Sequence, residues 1–204
     1  MAIVTIALGV AGCGAAGPRS TASSSSAPPG ATPVAQPVRS PSSGAPGFGW
    51  LQRDAVPSDW SAAVIPTGAT LPYPPGWRQA TGDAGTATAE LLDARHRIIG
   101  YLNLTPQQGR ETLADWARFR VVHNAQEGDR AVRRLAVGSG LRFRTGRGSC
   151  VRDSYTTSTG NRYMELACIV AGSKATSVIV GASPPQAWEQ VSPLLEAAIA
   201  GFTT

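Results

Sequence analysis

Cys150 to Cys168, CVRDSYTTSTGNRYMELAC, is the stretch whose reading decides the fold. Runs rich in Val, Tyr, Thr, Ile and Leu flank the polar break Ser158-Thr159-Gly160, whose glycine can take the positive φ that a three-residue hairpin loop with a bulge requires. If Thr157 faces Asn161 across that loop, Tyr155 faces Tyr163, Asp153 faces Glu165, and Cys150 falls opposite Cys168. The parity makes the cysteines a non-hydrogen-bonded pair, whose Cα atoms approach to roughly 4.5 Å, so a disulfide can form with little backbone movement. A turn signal and a cysteine pair thus specify one register.

The same register sets Asp153 against Glu165. Like charges directly across a ladder are destabilising. Three explanations stand open: the register is off by one, an arginine neutralises both carboxylates, or the pair lines a polar site with Tyr155 and Tyr163.

Working outward, the 204 residues carry 23 Gly and 16 Pro, which crowd the first part of the chain, and 42% apolar residues, enough for one core. The net charge of +5 is small and spread out, and no acid precedes Asp54. That balance favours an anionic neighbour such as a membrane surface or envelope polymer over nucleic acid.

Three cysteines leave one outside the hairpin. Residues 2–10, AIVTIALGV, form a short apolar run, and Val10-Ala11-Gly12-Cys13 resembles the lipobox of bacterial lipoproteins, in which the cysteine is diacylated and becomes the new N-terminus. Lys and Arg, usual before such a run, do not precede this one, so the signal is atypical or the true start codon lies upstream of Met1. The run is too short for a membrane core that needs about twenty apolar residues. Residues 13–48 then read as a lipidated cysteine followed by a Ser/Pro/Ala-rich tether that cannot offset its ordering entropy, with a coil reach of about 30 Å. Residues 1–12 are the expected signal peptide and 49–204 the expected folded domain. The expected location is the extracytoplasmic face of the cell membrane, held by lipid on Cys13.

Within the domain, Trp50, Trp60 and Ala62 to Ile65 are expected to pack onto the body. Leu71-Pro72-Tyr73-Pro74-Pro75-Gly76-Trp77 reads as a rigid proline turn entering a strand. Thr86 to Leu92 and Arg97 to Leu104 read as strands joined by a short turn containing His96. Residues 110–124 change period: Leu113, Trp116, Ala117, Arg120 and Asn124 share a helical stripe, with Thr105 and Pro106 as start signals and Gly128 as stop. His123, near the helix end, suits the dipole as a cap. Strands follow at Ala131 to Val137 and Leu141 to Arg144, separated by a Gly138-Ser139-Gly140 turn, then the hairpin, then Ala175 to Ala182. Pro185 to Phe202 forms a closing helix with Trp188, Val191, Leu195, Ala198 and Phe202 on one face, and Pro193 predicts a kink or break after Val191.

The order LPYPPGW, the helix with Asp115-Trp116 and Phe119, the segment Gly148 to Tyr155, its partner Glu165 to Cys168, and the closing Pro184 to Phe202 resembles the Lpq-type lipoproteins of mycobacteria and related actinobacteria. The resemblance spans residues 66–204. It implies an α+β domain of the PsbP/Mog1 kind, an antiparallel β-sheet packed with helices, and a lipid-anchored envelope protein with a binding or adaptor role. It carries no catalytic residues over.

No Gly-x-Ser-x-Gly elbow, HExxH or other metal-ligand spacing, or P-loop occurs, so no catalytic residue, metal or cofactor is expected. The candidate binding face comprises Arg142, Arg144, Arg152, Asp153, Tyr155, Tyr163 and Glu165. Arg142 and Arg144 flank Phe143 at strand spacing and so should share a face, within a cluster that also holds Arg133, Arg134 and Arg147. Such a face suits anionic lipid, glycan or an acidic envelope protein; an ordinary solvated strand face is the alternative. Three function classes follow. A binding or assembly module predicts a shallow patch, a carrier of lipid or a small apolar ligand predicts an enclosed apolar cavity between sheet and helices, and an enzyme predicts polar groups converging on a cleft.

Overall fold

The computed structural model describes residues 47–52 and 56–204. Cys13, the signal-like run and the tether up to residue 46 lie outside them. The chain enters through a 3₁₀ turn, Gly49–Gln52, that buries Trp50 and Leu51, and Phe48 before it is also in the core. The core therefore takes in one residue assigned above to the tether.

Two short strands, β1 (Ser61–Val64) and β2 (Thr70–Tyr73), pair antiparallel. The Leu71-Pro72-Tyr73 part of the expected proline turn is thus a strand, and only Pro74 to Gly76 turns. The main sheet contains β3 (Arg78–Ala80), β4 (Ala87–Leu92), β5 (Ile98–Pro106), β6 (Arg130–Phe143), β7 (Gly146–Thr156), β8 (Arg162–Gly172) and β9 (Thr176–Ser183), in the order β3-β4-β5-β9-β8-β7-β6. Every pairing is antiparallel. His96 occupies its turn at a φ of +58°.

The hairpin forms in the expected register, with Cys150 opposite Cys168, Asp153 opposite Glu165 and Tyr155 opposite Tyr163. Gly160 takes a φ of +90°, and Thr157 N–H donates to Asn161 O at 2.8 Å to close the loop. Counting alternate rungs from that bond makes Cys150 and Cys168 a non-hydrogen-bonded pair; the disulfide is present and their Cα atoms lie 4.1 Å apart.

β6 departs from expectation. It is one strand of 14 residues, and Gly138-Ser139-Gly140 is a bulge inside it, with Gly140 at a φ of +63°. An extra residue bends a strand without ending its pairing, and a local glycine signal does not distinguish that from a turn. The turn comes later, at Arg144-Thr145, so Arg144 is not in the strand and has no strand spacing from Arg142.

Two helices cover opposite faces. α1 (Trp116–Gln126) follows β5 and ends at Gly128, whose φ is +93°. It begins later than the periodicity suggests, because Thr105 and Pro106 still belong to β5 and Thr112 Oγ1 receives the Asp115 N–H one turn before the helix. α2 (Trp188–Ala200) follows β9 and runs on through Pro193, so of the expected kink or break the break does not occur. It buries Val191, Leu195, Ala198 and Ile199 against Leu102, Leu104, Leu166, Cys168 and Ile179, forming the main core with the disulfide inside it.

Topology creates an asymmetry on the other face. The chain must travel from β5 to the sheet edge at β6, across β9, β8 and β7. α1 makes that crossing and packs on β6, β7 and β8. The face of β4 and β5 beside it has no helix above it among the described residues.

Candidate functional site: the cleft beside helix α1

Trp116 anchors α1. It is 1% exposed, packs with Val151, Ala167 and Ile169, and donates its indole N–H to Ala167 O at 2.9 Å. One and two turns on, Phe119 stacks on Trp116 at 5.8 Å and His123 on Phe119 at 5.5 Å, with interplanar angles of 20° and 13°. The three rings follow i, i+3 and i+4 spacing, so they form one stripe along the helix.

Arg120 comes from the same helix. It reaches Glu165 through two bonds, Nε to Oε1 at 2.6 Å and Nη2 to Oε2 at 2.8 Å, a bidentate pair with Glu165 fully buried. Burial alone would lower the Arg120 pKa, but Glu165 outweighs it and holds the guanidinium charged. Asp153, opposite Glu165, is also fully buried, yet neither of its carboxylate oxygens has a hydrogen-bond partner. Burial, then the nearby Glu165 charge, pushes its pKa up to about 8, so Asp153 holds its proton through neutral pH. Tyr155 and Tyr163 lie beside the pair with ring centres 6.0 Å apart, and burial raises the Tyr155 hydroxyl well above its ordinary value. The two carboxylates are thus handled differently: an arginine neutralises Glu165, and a proton neutralises Asp153.

Between α1 and the uncovered strands lies an open cleft of about 430 Å³, with Tyr101, Asn103 and Thr105 of β5 on its floor and Phe119, Arg120 and His123 on its wall. A second depression of about 350 Å³, over β3 to β5, shares Tyr101, Asn103, Thr105 and Gln108 with it, so the two form one groove. Asn103 is fixed by donating from Nδ2 to Thr88 Oγ1 at 2.9 Å. Burial raises the Tyr101 hydroxyl above its usual value.

The loop after β5 rims the groove. Glu111 there is 6% exposed; its Oε1 accepts the Gln108 N–H at 2.9 Å, and its backbone carbonyl accepts Gln107 Nε2 at 2.7 Å. Burial would raise this carboxyl, but the backbone N–H groups of its own loop, helped by His123, hold it below the usual range, so it is ionised at neutral pH. Its Oε2 is buried without a hydrogen-bond partner. His123 Nε2 lies 3.1 Å from Glu127 Oε1 on the following turn.

The residues expected to form one binding face are divided. Asp153, Tyr155, Tyr163 and Glu165 share the α1 side of the sheet by strand alternation. Arg152 points to the other side, pairs with Glu196 at 2.8 Å and lies 5.7 Å over the Trp188 ring. Arg142 and Arg144 line a separate depression with Leu51, Gln52 and Phe143. Arg142 and Arg144 thus stay together, but apart from Arg152 and from the Asp153–Glu165 side, so the seven residues do not share one face. Among the described residues no group of three or more His, Cys, Asp or Glu is placed to hold a metal.

The groove residues Tyr101, Asn103, Gln108, Glu111 and Phe119 carry no motif; they follow one another across a strand, a loop and a helix with no fixed spacing and are mostly neutral. Arg120 did carry a signal. A charge on a stripe otherwise turned inward at Leu113, Trp116 and Ala117 asks for a buried partner, and the Asp153–Glu165 rung supplies it.

No family model and no curated protein matches the sequence. Solved structures do match in fold. The solution structure of cyanobacterial PsbP (CyanoP) from Synechocystis is 15% identical, with a TM-score of 0.53 over 73% of this chain and 94% of that one. A Pseudomonas aeruginosa protein of unknown function is 13% identical, with a TM-score of 0.48 over 71% and 96%. LpqN of Mycobacterium tuberculosis, described as involved in cell envelope biogenesis, is 12% identical, with a TM-score of 0.41 over 71% and 89%. The antiparallel sheet with its helices is the α+β, PsbP-like fold expected from the sequence.

Proposed function

We propose that the protein is a lipid-anchored, non-enzymatic binding module of the cell envelope, of the Lpq type, and that the groove beside α1 is its binding surface. The groove is the observation that carries this reading. It is open, its Arg120 guanidinium already engages Glu165, and His123 Nε2 lies against Glu127. Such a site is organised for recognition by shape, rings and neutral polar groups. The disulfide fits an exported protein, since such bonds persist in oxidising compartments. The lipobox-like Val10 to Cys13 supports the anchor. A carrier of apolar ligands calls for an enclosed cavity, whereas this cleft is open.

Capture with the intact membrane-anchored protein tests the reading, with bound proteins, lipids and glycans identified by mass spectrometry and Phe119→Ala run in parallel. A partner retained by the parent and lost by the variant supports it. Identical captures from both would remove the groove as the binding surface.

A further inference from the structure

We infer that the groove takes a neutral sugar chain, one sugar face resting on the Tyr101 ring beside the wall made by Phe119, and its hydroxyls bonded by Asn103, Gln108 and Glu111. The inference rests on the groove being the binding surface and names the chemistry of what it binds.

Shape comes first. Two depressions of about 430 and 350 Å³ share a floor, so one ligand can place consecutive units in both. The rings come second. Phe119 is held between Trp116 and His123 in a near-parallel stack, so its plane is set before any ligand arrives. The stack gives the groove a fixed apolar wall, and the flat, apolar C–H face of a sugar rests on the Tyr101 ring of the floor.

The polar groups then select hydroxyls. Asn103 and Gln108 each offer a carboxamide, a donor and an acceptor side by side, which is the pattern that neighbouring hydroxyls satisfy. Glu111 adds an ionised carboxylate whose Oε2, buried and unpartnered, accepts only; it requires a donor. An anionic ligand would meet Glu111, Glu127 and Asp83 around the groove, while the positive charge of Arg120 is spent on Glu165. A cationic ligand would satisfy Glu111 but would use only the acceptor half of each carboxamide. A hydroxyl donates to Glu111 and engages both halves.

The test applies the full chain to an array of neutral and acidic oligosaccharides with an oligolysine peptide alongside, followed by NMR titration with the strongest-binding member. The expected result is binding to neutral members, resonance shifts at Tyr101, Asn103 and Phe119, and affinity about tenfold weaker in Phe119→Ala. Gln108→Ala, a loop substitution away from the helix packing, should weaken binding with an unchanged melting temperature, which separates recognition from folding. An array with no neutral member bound, or binding confined to acidic members or to oligolysine, overturns the inference. A blank array together with a captured partner that depends on Phe119 sinks the sugar assignment alone; captures unaffected by Phe119→Ala sink the binding surface as well.

Discussion

Asp153 and Glu165 sit on one rung of a ladder, both buried, and the guanidinium of Arg120 bonds only Glu165. The Asp153 pKa is raised in the folded state from about 3.8 to about 8, so the native protein binds a proton that the unfolded chain has released. Stability from this group is therefore complete below about pH 3.8 and falls as pH rises toward about 8. Asp153→Asn should remove that fall. The difference in melting temperature between variant and parent should grow in the variant's favour across this window; a constant difference would mean Asp153 titrates normally. Arg120 gives a second prediction. Arg120→Ala leaves Glu165 buried and unpaired and should cost about 3–5 kcal/mol in denaturant unfolding, whereas Arg120→Met with Glu165→Met should recover much of that loss. Additive single effects would show that the bond does not couple the two. This rung was legible in the sequence because the Gly160 turn sets the register. Which carboxylate the arginine takes was not, since that depends on how α1 lies on the sheet.

At the scale of elements, the hairpin and the bulged strand beside it show where local signals suffice. β7 and β8 pair without a register shift around one turn, so ladder and turn chemistry agree. In β6 they conflict: Gly138-Ser139-Gly140 has the composition of a turn, but pairing with β7 resumes on both sides of it. Long-range pairing overrides composition there, and it also moved Arg144 out of the strand. α1 was hard to delimit for a related reason. It buries only Trp116 and Asn124 among its 11 residues, so its periodic signal is weak. The disulfide belongs to this scale. Closing a loop of this length contributes about 3 kcal/mol by the chain-entropy model, so Cys150→Ala with Cys168→Ala should lower the melting temperature by several degrees or more. Non-reducing peptide mapping of the parent should recover the Cys150–Cys168 peptide pair; free thiols at both positions would contradict the bond.

For the whole molecule, anchoring and stability distribution make separate claims. Among the described residues no helix is long and apolar enough to cross a membrane; the proposed attachment is by lipid on Cys13. Cys13→Ala should move the protein from the membrane fraction to the soluble fraction with its melting temperature unchanged; retention on the membrane would require another anchor. The two faces of the sheet should differ in how firmly they hold. α2 buries five residues, Val191, Leu195, Ala198, Ile199 and Ala200, in the core that contains the disulfide. α1 is held by Trp116, by the Arg120 pair and by few other buried contacts, beside a face left open by the crossover from β5 to β6. Local opening free energies follow buried apolar contact, so amides of α1 should exchange with solvent by a local route while those of β8, β9 and α2 wait for global unfolding. Trp116→Ala should sharpen the contrast, abolishing protection in α1 while leaving that of α2 in place, because the anchor of one helix does not touch the core of the other. Equal protection of both helices in the parent, or their loss together in the variant, would mean that the sheet couples its two faces into one cooperative unit.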